Sequence, residues 1–140
     1  MEARMPAFKS WAPWLAEGLA AEHGWPPHTG PDASINLELA AVGRKLASKE
    51  GGFSCVSCHA VGSVEASEVV ESEGINFVHV AERLLPDYFR RWVRNPLSID
   101  PATKMPVYFD EGRSPLPEVL DGDAERQIEA LWQYIRLQAQ

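Results

Sequence analysis

The chain has 140 residues, 45% hydrophobic and 24% charged, which is ordinary globular composition and enough length for one modest core. Lys and Arg total 13 against 20 acids, and the formal charge of −7 disfavours a nucleic-acid backbone as main partner and favours a basic protein surface. No run approaches the ~18 consecutive apolar residues of a membrane span, and the N-terminus lacks the charged-then-apolar layout of a secretory signal, so the chain is either cytoplasmic or written without its signal.

Residues 1–31 read as an appendage, in which "SWAPWLAEGLAAEHG" predicts a short helix over Trp14, Leu15 and Leu19 before a linker at Pro26, Pro27 and Pro31. The domain proper is expected over residues 32–140. It opens with "SINLELAAVGRKLASKEGG", where Leu39, Val42, Leu46 and Ala47 recur at helical spacing after a cap at Ser34 or Asn36, and Gly51 and Gly52 end the pattern. "FSCVSCHAVG" follows with the only two cysteines, Cys55 and Cys58, and His59 behind them. From Ala60 to about Gly74 the chain is small, acidic and aperiodic, a loop with Glu65, Glu68, Glu71 and Glu73 in solvent.

"LPDYFRRWVRNP" predicts a short helix with an aromatic face over Tyr88, Phe89 and Trp92, entered at Pro86 and stopped at Pro96. The proline-rich segment from 96 to 120 predicts an ordered, irregular loop of a length that usually carries function. "DGDAERQIEALWQYIRL" then predicts a closing helix, capped by Asp121 or Asp123, with Ile128, Leu131, Trp132 and Ile135 on one face.

Four chemistries can use Cys55, Cys58 and His59. A disulfide would close a very small loop and gain little chain entropy. A thioredoxin-like pair needs a βαβ setting, and no Val/Ile-rich strand flanks this stretch. A zinc site needs four ligands, and His23, His28, His59 and His79 lie at no finger-like spacing from the thiols. Covalent haem c uses the whole motif: two thiols add across vinyl groups on one porphyrin edge as thioethers, and the adjacent imidazole points at the iron.

The sixth position of such an iron decides its chemistry, because a second protein ligand suits electron transfer and an open face suits binding or catalysis. The candidates are Met105, Met5, Met1, His79, His23 and His28. Met105 is preferred: it lies between Pro101 and Pro106, where a stiff backbone can hold a thioether, and it is the only methionine downstream of the motif. His79, the rival, would give a bis-histidine site of lower potential.

The helix carrying Gly43, "CVSCH", the helix ending in "WVRNP", the "PATKMP" loop and the "IEALWQYIRL" helix occur in that order over roughly residues 34–138. In that order they resemble the class I cytochrome c family, of bacterial type. The resemblance implies an all-α fold, three to five helices around one covalently bound haem, with the first and last core helices crossing and Gly43 opposite Leu131 and Tyr134. It implies His59 and Met105 as axial ligands, Cys55 and Cys58 as haem attachment points, and Tyr88, Trp92 and Tyr108 as cofactor-wall residues, with Trp92 hydrogen-bonding a propionate or simply packing.

The implied role is single-electron transfer between redox partners such as a dehydrogenase, an oxidase or another cytochrome, without catalysis by this chain. The competing class is a haem enzyme or gas sensor with an open sixth site. Haem c attachment implies a periplasmic or extracytoplasmic location. Arg90, Arg91, Arg94 and Lys104 are either a solvated face or a basic rim that steers an acidic partner. Two features depart from or add to the family pattern. Gly74 is followed by Ile75 where many members have Gly-Pro, which leaves the carbonyl supporting His59 unassigned. "ARMPAF" at 3–8 echoes "TKMPVYF", consistent with either the tail of a preceding haem unit or a plain extension packing Trp11 and Trp14 on the domain.

Overall fold

The computed structural model describes residues 9–24, 34–69, 71–109 and 111–140. The chain divides into two compact units, Met1–Ala33 and Ser34–Gln140. Among the described residues there are five α-helices and no strand, only three isolated β-bridges. None of these helices is long and apolar enough to cross a membrane.

In the first unit, α1 (Ala12–Glu22) begins with Pro13 inside its first turn and buries none of its residues. Trp11, Trp14, Leu15 and Leu19 are all exposed. The echo at residues 3–8 and the linker prolines lie outside the described residues.

The second unit is built on α2 (Leu37–Ala47) and α5 (Ala124–Gln138), its most extensively packed pair of helices. Asn36 caps α2 by accepting the Leu39 N–H at 3.0 Å, which satisfies one otherwise orphaned donor and stabilises by about 1 kcal/mol. Asp123 does the same for α5 from the Arg126 N–H at 3.1 Å. The expected apolar face of α5 is the buried one: Ile128, Leu131, Trp132 and Ile135 are all buried, and covering Ile128 alone contributes roughly 1.5–3 kcal/mol.

The α2–α5 contact turns on Gly43. A Cβ there would stand 1.9 Å from the Ala130 carbonyl oxygen and 2.8 Å from Tyr134 Cβ. Tyr134 is the expected neighbour, but Ala130 stands where Leu131 was expected. Leu131 instead turns into the core, because one residue along a helix is a rotation of about 100°.

Between these two helices lie α3 (Val80–Arg83), entered through a 3-10 turn at Phe77–His79, and α4 (Pro86–Arg94). Only α4 was expected. The other two elements are too short to leave a periodic pattern, yet they bury Phe77 and Val80. Pro86 opens α4, and Phe89 and Val93 anchor it in the core, with Phe89 4.9 Å from the Trp132 ring.

The loop from 96 to 120 is irregular, apart from a 3-10 turn at Pro96–Ser98. Its far end is held by fully buried Gln127, whose Nε2 donates to the Leu116 and Val119 carbonyls at 3.0 and 2.7 Å. Ser114 Oγ donates to Gln127 Oε1 at 2.5 Å. One buried amide thus adds a second hydrogen bond to two turn carbonyls, which also accept the Val119 and Gly122 N–H groups at 3.2 and 3.1 Å.

Candidate functional site

The two cysteines and His59 share a single turn. Ser54 takes a left-handed conformation (φ 59°), which turns the chain sharply out of the segment after α2. A 3-10 turn at Cys55–Ser57 follows, and both the Cys58 and His59 N–H groups donate to the Cys55 carbonyl, at 3.2 and 3.0 Å. Positions i, i+3 and i+4 of one turn lie on the same side, so both thiols and the imidazole share a face.

The imidazole is held from behind. The Gly74 N–H donates to the Cys58 carbonyl at 2.8 Å and the Phe77 N–H to the Ala60 carbonyl at 2.9 Å, so residues 74–77 run alongside 58–60. This pairing brings the Ile75 carbonyl 2.8 Å from His59 Nδ1. The carbonyl accepts, so Nδ1 carries the proton and Nε2 keeps its lone pair for a metal. The departure from Gly-Pro at Ile75 therefore does not remove the support, since the acceptor belongs to the backbone.

Two neighbours complete the seat. The ring stacks on Phe77, with centroids 5.1 Å apart. Gly74 is required beneath it: a Cβ there would fall 2.3 Å from His59 Cε1 and 2.4 Å from Nδ1. Asn76 clamps the segment, its Oδ1 accepting from the Gly62 and Val78 N–H groups at 3.0 and 3.2 Å and its Nδ2 donating to the Gly62 carbonyl at 2.8 Å. Sequence reasoning missed Asn76; an Asn directly before an apolar pair is the cap signal that could have exposed it.

One cavity of about 720 Å³ is lined by all seven residues expected to hold or wall a cofactor. Cys55, Cys58, His59, Tyr88, Trp92, Met105 and Tyr108 all line it, together with Phe53, Phe77, Phe89, Phe109, Leu131 and Ile135. That size falls in the range of cofactor and small-molecule sites, about 300–1,000 Å³, and the lining is largely apolar. Met105 comes from the proline-rich loop, where Thr103 Oγ1 accepts its N–H at 3.3 Å. Trp92 Nε1 donates to Met105 Sδ at 3.1 Å.

The other ligand candidates fare differently. His79 is exposed, lies 3.9 Å from Glu82 and does not line the cavity. His23 ends α1 in the first unit. Met1, Met5 and His28 lie outside the described residues.

The burial that shapes the cavity also tunes its acids. Desolvation pushes the Cys55 thiol up to about 12, against a backbone hydrogen bond that lowers it and with Cys58 adding to the rise. Both cysteines are unpaired thiols, which leaves the disulfide reading unsupported. Among the described residues no three His, Cys, Asp or Glu side chains are grouped to hold a metal ion, so a structural zinc site lacks its ligand set there. Tyr108 is likewise raised to about 12, by burial first and then by the two cysteines.

Of the four cations read as a solvated face or a basic rim, three are in ion pairs. Arg90 pairs with Asp87 at 2.7 Å and with Glu129 at 3.0 Å, Arg94 pairs with Glu125, and Lys104 pairs with Glu71 at 2.7 Å. Arg91 lies over the Tyr88 ring, 5.6 Å from its centroid. The four loop acids are exposed as expected, but two have partners, Glu71 with Lys104 and Glu68 with Lys49 at 2.6 Å. Glu68, Glu71 and Glu73 line the cavity beside Lys104, so its acidic side chains outnumber its basic one.

The donor set fits a covalently held haem: two unpaired thiols, an imidazole whose Nδ1 is engaged, and a thioether, all on one apolar cavity. No protein-family model matches the chain, and no curated protein matches it.

Proposed function

We propose that this chain is a single-electron carrier of the class I cytochrome c type, in which Cys55 and Cys58 would hold a haem c and His59 and Met105 would ligate its iron. The observation that carries the reading is the convergence of both thiols, His59 and Met105 on one cavity from segments up to 50 residues apart. When bound, the haem supplies a one-electron couple at its iron.

The chain's own residues do the rest. Cys55 and Cys58 are both thiols, the form that would be needed for each Sγ–H to add across a vinyl group of the haem without an oxidant. The Ile75 carbonyl holds His59 in the tautomer that leaves Nε2 basic, and Gly74 and Phe77 set the plane of its ring. Phe53, Phe77, Phe89 and Phe109 line the cavity with carbon and exclude water, which keeps reorganisation on electron transfer small and disfavours the extra charge of ferric iron. Met105 ligation acts in the same direction, because a thioether favours the reduced metal. The role requires no substrate and no bond-breaking step after attachment. The partners are redox proteins, and the compartment is extracytoplasmic, where haem c is attached.

Expression in a host able to attach haem c tests this. The expected product is red, heavier than its polypeptide by one haem, and has the weak long-wavelength sulfur-to-iron band when oxidised. A colourless product of polypeptide mass would end the proposal. A red product without the band, binding carbon monoxide or nitric oxide readily, would replace it with the open-site reading.

A further inference from the structure

We infer that α1 is a self-association helix, whose apolar face takes the same face of a second copy of this chain in an antiparallel pair. The surface belongs to the first unit, and its role does not depend on the haem reading.

α1 has 11 residues and buries none of them. A helix so short is marginal in water by itself, because helices in proteins are held mainly by packing of an apolar face. α1 has such a face. At about 100° per residue, Trp11, Trp14, Leu15, Gly18, Leu19 and Glu22 fall within an arc of about 140°, Trp11 being the N-cap with right-handed helical backbone. Trp11 and Trp14 are 67% and 73% exposed, and Leu15 and Leu19 are 59% and 49% exposed. Single exposed apolar residues are ordinary, whereas four large ones sharing one helix face mark an interaction surface.

The spacing of the face fits a second copy. Its successive positions lie 3, 1, 3, 1 and 3 residues apart, the same read from either end. A two-fold interface needs such self-complementarity, since residue i must meet j while j meets i. In the antiparallel register that sets Trp14 of one helix against Leu19 of the other, Leu15 falls against Gly18 and Trp11 against Glu22. Each member of the face thus meets another member. Sizes match as well, leucine over glycine and each indole over a smaller side chain. A Cβ at Gly18 would have nothing within 4 Å among the described residues, so the chain itself gives no packing reason for glycine in mid-helix, where it is a poor helix former.

Charge selects the same orientation. α1 carries Glu17 and Glu22 and no Lys or Arg, and exposed Lys9 stands just ahead of it. An antiparallel pair brings Lys9 of each copy to the end of the other helix that carries Glu22 and the negative pole of the dipole. A parallel pair would set Lys9 beside Lys9 and Glu22 beside Glu22. A bilayer surface is a poorer occupant, because helices that lie on membranes carry Lys and Arg on the polar side, and α1 carries Glu17 there.

Sedimentation equilibrium of the whole chain reads this directly as mass, with or without haem. At about 150 mM salt a Debye length of about 8 Å screens the charge of −7 on each copy. One helix pair is a small interface, so reversible dimer formation is expected between about 10 µM and about 1 mM. Gly18→Leu adds apolar surface and improves helix propensity, so indiscriminate association would tighten. Filling the seat of Leu15 should instead weaken the dimer about tenfold while helical circular dichroism is kept. Adding Leu15→Gly to Gly18→Leu exchanges the two sides of that contact and should restore most of the lost affinity.

A chain that stays monomeric up to about 1 mM would overturn the inference. So would a Gly18→Leu protein that dimerises as well as the wild type, or a double variant no tighter than Gly18→Leu alone. For a monomer, co-sedimentation with phosphatidylcholine–phosphatidylglycerol vesicles would give the face to a bilayer. Resistance of a monomer's Trp14 to N-bromosuccinimide would mean that the face is covered within one chain. Either result overturns the second copy as its occupant and leaves the haem reading untouched.

Discussion

Gly74 has an ordinary backbone conformation, and its requirement comes from what stands over it. Adding one methyl group at Gly74 puts carbon 2.3–2.8 Å from three ring atoms of His59, which is tied to the Ile75 carbonyl at 2.8 Å and cannot swing away without giving up that bond. Gly74→Ala should therefore move the imidazole and free its Nδ1–H. We expect about 1–3 kcal/mol of lost stability from the overlap, read by thermal or urea unfolding. On the proposed haem reading, protein matured in a host able to attach haem c should also show a lower yield of haem with His59 ligated, read from its absorption spectrum. A Gly74→Ala protein with wild-type stability and spectrum would mean that the seat beneath His59 is slack. At this scale the two thiols, His59 and Met105 are legible in the sequence because the chemistry resides in the residue types. Gly74 and Ile75 act through a missing side chain and a backbone carbonyl, neither of which residue type announces.

Helix propensity and helix packing make opposite predictions at Gly43. In an isolated helix Gly→Ala gains about 1 kcal/mol, and α2 is otherwise made of good helix formers. In the folded unit the same methyl meets the Ala130 carbonyl oxygen at 1.9 Å, a backbone atom of α5 that can yield only if the two helices part. Packing should win: Gly43→Ala is expected to destabilise by about 3 kcal/mol or more, since separating the helices also uncovers Leu46, Ile128 and Ala130. A neutral or stabilising result in denaturant unfolding would show that α2 and α5 can be reset without penalty. Helices α2, α4 and α5 are legible in the sequence because cap, period and proline punctuation act within a few residues. The turn at Phe77–His79 and the four-residue α3 are not legible, because so short a segment holds its shape through Phe77 and Val80 packing on distant elements.

Across the molecule the formal charge is −7, and three of the four cations that might have formed a local basic face, Arg90, Arg94 and Lys104, are paired with nearby acids. Exposed ion pairs of this kind add little stability, roughly 0–1 kcal/mol each, but they cancel local fields. Glu68 and Glu71 are offset in the same way by Lys49 and Lys104, so the approach to the cavity carries the sign of Glu73 and of the whole chain. Applied to the haem-loaded protein, this gives a sign test. Electron exchange with a small anionic reagent should speed up severalfold as salt rises from about 10 to about 200 mM, and exchange with a cationic reagent should slow. The opposite signs would restore the basic rim, and rates indifferent to salt would indicate a neutral approach.

The sequence by itself determined the residues able to do chemistry, an all-α reading, and the positions of the three helices around which the second unit is built. All of these depend on residue type or on neighbours within about one turn of helix. Tertiary structure alone decided the partners: the Ile75 carbonyl for His59, Met105 for Trp92, Ala130 for Gly43, and acids for Arg90, Arg94 and Lys104. Most of these partners are separated by 13 to 87 residues along the chain. The physical reason is that a polar atom or a bare Cα takes whichever group the fold brings to it. That group is set by how the apolar faces pack, and no local pattern records it.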